Sequence, residues 1–201
     1  MNPVKLEIVQ AGNPVLRQRA RPLSIGEIRS REIQKLIESM RASMHEAPGV
    51  GLAAPQVGLA LQLAVIEDRE EYHKDVSAAL LKERERSPVA FQVIINPAIE
   101  EIGDEKAEFF EGCLSLSGFS ALVSRARAVR VTCLDERGEP KVIEASGWYA
   151  RILQHEVDHL YGTLYIDRMR TRSFTSMENL TEFWKGKPVN EIKAALCVET
   201  E

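Results

Sequence analysis

Apolar residues recur at helical spacing between Ser30 and Glu46, where Ile33, Leu36, Ile37, Met40 and Met44 follow an i, i+3, i+4, i+7 pattern. The pattern predicts an amphipathic helix, ended by Pro48 and Gly49, which open a loop rich in glycine and alanine. Upstream, GNPVLR reads as a turn with Pro14 at a first helical position. LQLAVIED, FQVIINPAIE, ALVSR and VRVTCLDERG are short β-rich runs with turn residues at their ends. The first two are joined by a highly charged stretch, 67–88, which predicts a solvated connection carrying at most an exposed helix. A second helical pattern spans Trp148 to Tyr161, with Ser146 as N-cap and Gly162 as stop. A third runs from Ser176 to Trp184. The order helix, strands, helix, tail predicts an α+β fold, mainly antiparallel sheets packed on a helix, rather than a doubly wound parallel sheet.

Composition narrows the picture only slightly. The 201 residues favour one domain, and 44% hydrophobic with 28% charged residues are ordinary values for a globular enzyme. A formal charge of −4 argues against wholesale nucleic-acid binding, and no DNA partner is expected. No apolar run approaches the roughly 18 residues of a membrane span. The start, MNPVKLEIVQ, lacks a secretory pattern, so the expected setting is the cytoplasm of a bacterial or phage-infected cell or, for a mature organelle protein, the organelle. Three cysteines, Cys113, Cys133 and Cys197, without a CxxC pair, suit a reducing compartment.

The candidate chemistry starts at His155-Glu156-Val157-Asp158-His159. Four residues advance a helix by about 400°, so the two imidazoles lie about 40° apart, one turn above the other. Two neutral nitrogen donors on one face can share a metal ion, and Glu156, beside the first ligand, can take a proton from water. Ile152, Leu153, Val157 and Leu160 make this helix largely buried. A third protein ligand is needed, and the candidates are Cys113, Cys133, Cys197 and the carboxylates. Cys133 alternates like an ordinary strand residue, and Cys197 lies in the tail without a partner of note. Cys113 sits in EGCLS, between an acidic run and small residues. A thiolate there would suit Fe(II) as well as zinc, at the cost of sensitivity to oxidation. In Gly49-Val50-Gly51-Leu52-Ala53-Ala54-Pro55-Gln56, small residues let backbone approach a ligand, and Gln56 offers an amide donor, for an oxyanion or a peptide edge. His45 and His73 read as surface residues.

GVGLAAPQ, EGCLS and QHEVDHL, in this order and at these separations, resemble the three signature motifs of the peptide deformylases. The stretch ASGWYARILQHEVDHLYGTLYIDRM is similar to deformylases of plant organelles, animal mitochondria and related bacteria. The likeness covers about Pro14 through Met169, implying one domain over 1–201 with a catalytic core at about 14–169 and a helix-bearing tail at 170–201. The 67–88 insertion is longer than the bacterial norm, and Ser117-Gly118-Phe119 replaces a Pro-containing segment. The resemblance implies a metal held by Cys113, His155 and His159, natively Fe(II), with zinc, nickel or cobalt also accepted. It implies Glu156 as general base, with the Gln56 side chain and the Leu114 N–H as oxyanion donors. Substrate binding would fall to Gly49, Val50, Gly51, Glu111, Gly112, Trp148, Arg151 and Ile152. Val50, Trp148 and Ile152 would line a methionine pocket, with Arg151 at its edge. The implied reaction removes formyl from the formylmethionine of new polypeptides, with nascent peptides as partners and the ribosomal exit tunnel nearby. Arg168, Arg170 and Arg172 form a basic cluster that either contacts ribosomal RNA or is merely solvated. A zincin-type peptidase shares the HExxH pattern but takes His or Glu as third ligand. A structural metal in a ribosome-associated binding module would need a fourth protein ligand.

Overall fold

The computed structural model describes residues 4–197. Along the chain come α1 (Ile25–Ile28), α2 (Arg31–Glu46), β1 (Gly51–Ala53), β2 (Leu63–Asp68) and α3 (Ala78–Glu83). Next are β3 (Val89–Glu101), β4 (Lys106–Gly112), β5 (Phe119–Ala126), β6 (Ala128–Leu134) and β7 (Pro140–Ser146). The chain continues through α4 (Gly147–Leu160), β8 (Thr175–Ser176), α5 (Met177–Asn179) and α6 (Val189–Ala195). One sheet has the order β1-β2-β3-β6-β7 and the other β4-β5-β8, with every neighbouring pair antiparallel. The fold class is α+β, as the order of patterns implied.

Strand β2 of the larger sheet is buried on both faces, which explains why LAVI reads as an unbroken apolar run. Ala64 and Ile66 of β2 and Ile94 of β3 face α4, where they meet Leu153, Val157 and Leu160. Their neighbours Leu63, Val65, Val93 and Ile95 face the opposite way and meet Ile33, Ile37, Met40 and Met44 of α2. Alternation sends successive side chains to opposite faces. Each fully buried Leu or Ile contributes roughly 1.5–3 kcal/mol, so α4 is fixed by its apolar side before any polar group is placed.

The termini of α2 and α4 follow local chemistry. Ser30 caps α2 by accepting the Ile33 N–H at 3.3 Å. Ser146 holds the cap position of α4 in extended backbone, but its hydroxyl makes no capping bond. The deciding residue there is Gly147, at φ 58°: a Cβ would lie 2.4 Å from Glu85 Cβ and 2.8 Å from the Arg84 carbonyl oxygen. The third helical stretch is a single α turn, α5, continued as a π-helix over Leu180–Trp184. The tail packs back onto the smaller sheet: β8 pairs with β5, and Ile192 of α6 is buried.

Candidate metal centre and substrate cavity

Two elements bring the donors together. α4 carries His155 and His159 one turn apart, with ring centroids 4.9 Å apart and planes at 82°. The residue after β4 is Cys113, delivered to the same place because β4 is zipped to β5 from Lys106 to Gly112. Cys113 Sγ lies 3.3 Å from His159 Nε2, and one donor atom from each of the three residues fits within 4.8 Å of the others. Among the described residues no other group of three His, Cys, Asp or Glu side chains meets that spacing.

The surroundings of the trio orient its donors. His155 Nδ1 lies 3.0 Å from Glu111 Oε2, which fixes the ring and turns Nε2 toward Cys113. Burial acts to lower the His155 pKa, but hydrogen bonding to Cys113 and Glu111 raises it well above the usual value. Burial and the positive neighbours His155 and Arg125 hold His159 well below its usual value, so its lone pair is free to ligate. One sulfur and two imidazole donors within 4.8 Å of one another fit a divalent ion with an open fourth position.

Glu111 is the keystone beneath the centre. Its carboxylate, 5% exposed, also takes Arg151 Nη1 at 2.6 Å and Arg125 Nε and Nη2 at 3.0 Å each. Burial would raise its pKa, yet His155 and Arg125 hold it far below the carboxylate range. Arg125 bridges on to Asp158 at 2.5 Å.

Glu156 sits in the opposite regime. Its carboxylate is buried, Oε2 has no hydrogen-bond partner, and burial pushes its pKa up to about 7. A buried, unpartnered oxygen that exchanges its proton near neutrality has the properties of a general base awaiting water. The first motif is moulded to it, for a Cβ on Gly51 would lie 2.2 Å from Glu156 Oε1. Gly49 likewise makes room for Leu114, whose Cδ1 would be 2.8 Å from a Cβ. Gln56 is 1% exposed; Oε1 accepts the Ala53 N–H at 2.8 Å, which leaves Nε2 aimed at Ser115 Oγ (3.3 Å) and Cys113 Sγ (3.4 Å).

All of this opens on one cavity of about 630 Å³, within the range of small-ligand sites. Every residue expected at the site lines it except His159, which lies 1% exposed behind the others.

A family model described as polypeptide deformylase matches residues 5–174. The chain belongs to that family. It is 50% identical over 174 residues to peptide deformylase 1A, chloroplastic, of Solanum lycopersicum, covering 87% of this chain and 63% of that one. It is 47% identical to peptide deformylase 3 of Streptomyces avermitilis, over 95% of this chain and 83% of the relative. The class I type b peptide deformylase of Acinetobacter baumannii, solved with Met-Ala-Ser bound, superposes with a TM-score of 0.74 at 34% identity, covering 83% of this chain and 99% of that one. The chain thus spans just under two thirds of the tomato deformylase and most of the two bacterial ones.

Several details of the structure differ from the reading of the sequence. Arg151 lines the cavity but is only 3% exposed, bound to Glu111 and to the carbonyls of Val123 (3.0 Å) and Ala107 (2.6 Å). The Glu111 carboxylate is saturated by His155, Arg125 and Arg151, so only its backbone is left for a substrate. His73 is not a surface residue; its side chain is 9% exposed, 3.1 Å from Asp68. Stretch 67–88 is not merely solvated, because Asp68 is buried and Arg86 lines the cavity. The basic cluster is committed internally: Arg168 to Asp158, Arg170 to Glu108, and Arg172 to the Leu196 carbonyl. Sequence reasoning missed Arg125, Asp158 and Arg86. For Arg125 a signal was present, since a cation inside the apolar strand ALVSR needs a buried anion.

Proposed function

We propose that this chain hydrolyses the N-formyl group of formylmethionyl peptides, releasing formate and a free methionine N-terminus. The observation that carries the reading is Glu156: a buried carboxylate with one oxygen unpartnered, in the same cavity as the Cys113, His155 and His159 donors.

A divalent ion held by Cys113, His155 and His159 would polarise the formyl carbonyl and acidify water beside it. The resemblance to the family implies iron(II) as the native ion; the donor set itself accepts zinc, nickel or cobalt as well. Glu156 takes a proton from the attacking water and passes it to the departing amine nitrogen. Gln56 Nε2 and the Leu114 backbone N–H donate to the carbonyl oxygen as charge develops there; one such donor is worth about 2.7–4 kcal/mol. β1 is an edge of the larger sheet, and Gly49 to Gly51 line the cavity, so the peptide backbone adds there as a further strand. Val50, Trp148 and Ile152 receive the methionine side chain.

The partners are nascent formylated chains, which arise in bacteria and in organelles. No helix among the described residues is long and apolar enough to cross a membrane. Contact with the ribosome follows from the substrate; Arg168, Arg170 and Arg172 have internal partners and do not argue for it.

The test is formate release from formyl-Met-Ala-Ser by metal-loaded protein, beside cleavage of an unmodified protein. Formate without cleavage supports the reading. Internal cleavage without formate supports a zincin-type peptidase instead.

A further inference from the structure

The insertion 67–88 ends against the catalytic helix in a way that a plain connection has no need for. At its base, the Asp68 carboxylate is completely buried and receives Arg86 Nε at 2.7 Å and Nη2 at 2.8 Å, a two-pronged pair. His73 Nε2 approaches the same carboxylate at 3.1 Å. Arg86 is thereby held nearly rigid, 10% exposed, in the cavity wall.

Next to it stands the indole of Trp148. The Arg84 guanidinium lies 4.6 Å from the ring centre and that of Arg86 5.4 Å, both within cation–π range. Phe109 meets the indole edge-on at 6.1 Å and is itself 5.6 Å from Arg84. Arg151 completes the surroundings at 5.9 Å. Burial, with Arg86 and Arg151 nearby, lowers the Arg84 pKa to about 10, which leaves it a cation at neutrality. The backbone contact is equally close, since Arg84 and Glu85 occupy the space a Cβ at Gly147 would need. Trp148 is the next residue of α4.

We infer that Arg84 and Arg86 clamp Trp148 and so set the shape of the methionine pocket, making the insertion a specificity element of the site. The inference rests on the deformylase reading, with Trp148 as a pocket wall. Arg86 is the specificity-determining residue because it reaches the cavity; Arg84 acts as a positioning residue through the indole. Asp68 holds Arg86 in place. Without the clamp the indole can turn, and the pocket admits side chains other than methionine.

The experiment uses the full chain loaded with nickel. Wild type, Arg86→Ala, Arg84→Ala and an exposed insertion control, Glu70→Gln, are compared on formyl-Met-Ala-Ser and formyl-Phe-Ala-Ser. Arg86→Ala should raise KM for the methionine substrate about ten-fold with little change in kcat, and cut the Met-over-Phe preference about ten-fold. Glu70→Gln should match wild type. In a Trp184→Phe background, Trp148 emission should shift to the red in both arginine variants as the indole gains water. If Arg86→Ala fails to fold, Arg86→Lys, which loses the fork on Asp68, carries the same measurements. An unchanged substrate preference with an unmoved Trp148 emission overturns the clamp. A wild type that releases no formate overturns the proposed function, and the emission then decides the clamp by itself.

Discussion

Gly51 and Glu156 are shaped to one another: the space in which Gly51 would carry a Cβ is filled by the Glu156 carboxylate, 2.2 Å from Oε1 and 2.5 Å from Cδ. The first motif thus holds the Glu156 carboxylate of the third by having no side chain, and it does so from the strand edge that lines the cavity.

Gly51→Ala should therefore leave the metal in place and damage turnover. All three ligands stay, but the carboxylate must swing away, and a misplacement of about 1 Å can cost around 10²-fold. Metal content at wild-type stoichiometry with kcat reduced about 100-fold is the expected pair of results. Normal kcat would show that the carboxylate finds an equivalent position.

Glu111 carries a different load, holding His155, Arg125 and Arg151 at once. Glu111→Gln removes the anion that orients the His155 ring and leaves Arg151 without a carboxylate. Metal affinity should fall about 10–100-fold, the usual cost of losing a ligand's supporting partner. Thermal stability should fall too, because breaking a buried ion pair costs about 3–5 kcal/mol. A chelator competition titration and a melting curve measure both, and unchanged metal affinity would remove Glu111 from its supporting role.

These two residues mark what the sequence could and could not convey. The periodicities of α2 and α4 were legible because their apolar stripes are complete. The donors were legible because the i, i+4 histidines fix their own geometry. β4 was not: KAEFFEG reads as an acidic run, and only pairing with β5 shows that Phe109 and Glu111 point inward. β7, PKVIEAS, is short and mostly exposed, and its place is set by the hairpin at Asp135, whose carboxylate accepts the N–H groups of Arg137 and Glu139. The insertion misled for the opposite reason. Its charges suggested water, whereas the buried Asp68 carboxylate is paired by Arg86 with His73 beside it, a long-range pairing that composition does not reveal.

The docking of the tail should respond to acid. Burial acts to raise the Glu108 pKa, but hydrogen bonds from Lys193 and Arg170 hold it below its ordinary value. A carboxylate depressed in the folded state stabilises it fully above the unfolded pKa, about 4.3, and this contribution is lost as pH falls through the folded value. Amide exchange across α6 should rise below about pH 4, ahead of α4, and Glu108→Gln should give the fast exchange already at pH 7. Slow α6 exchange in that variant would place the docking energy in Ile192 alone.

Cys113 should govern both metal retention and sensitivity to air. The Fe(II) form is expected to lose activity in air far faster than the zinc or nickel form, because oxygen reacts at iron and then at the bound sulfur. Cys113→Asp should keep some metal with altered activity, and Cys133→Ser should leave metal content unchanged, since Cys133 is buried in β6, away from the donor group. Loss of metal in Cys133→Ser but not in Cys113→Ser would mean that the third ligand is misassigned.

The most direct test of the central claim is formate release from formyl-Met-Ala-Ser by wild type and Glu156→Ala, each with its metal content measured in the same sample. The prediction is one metal per chain in both, rapid formate release by wild type, and turnover lower by about 10²–10⁴-fold in the variant. Near-wild-type turnover by a fully metal-loaded Glu156→Ala protein would contradict the account.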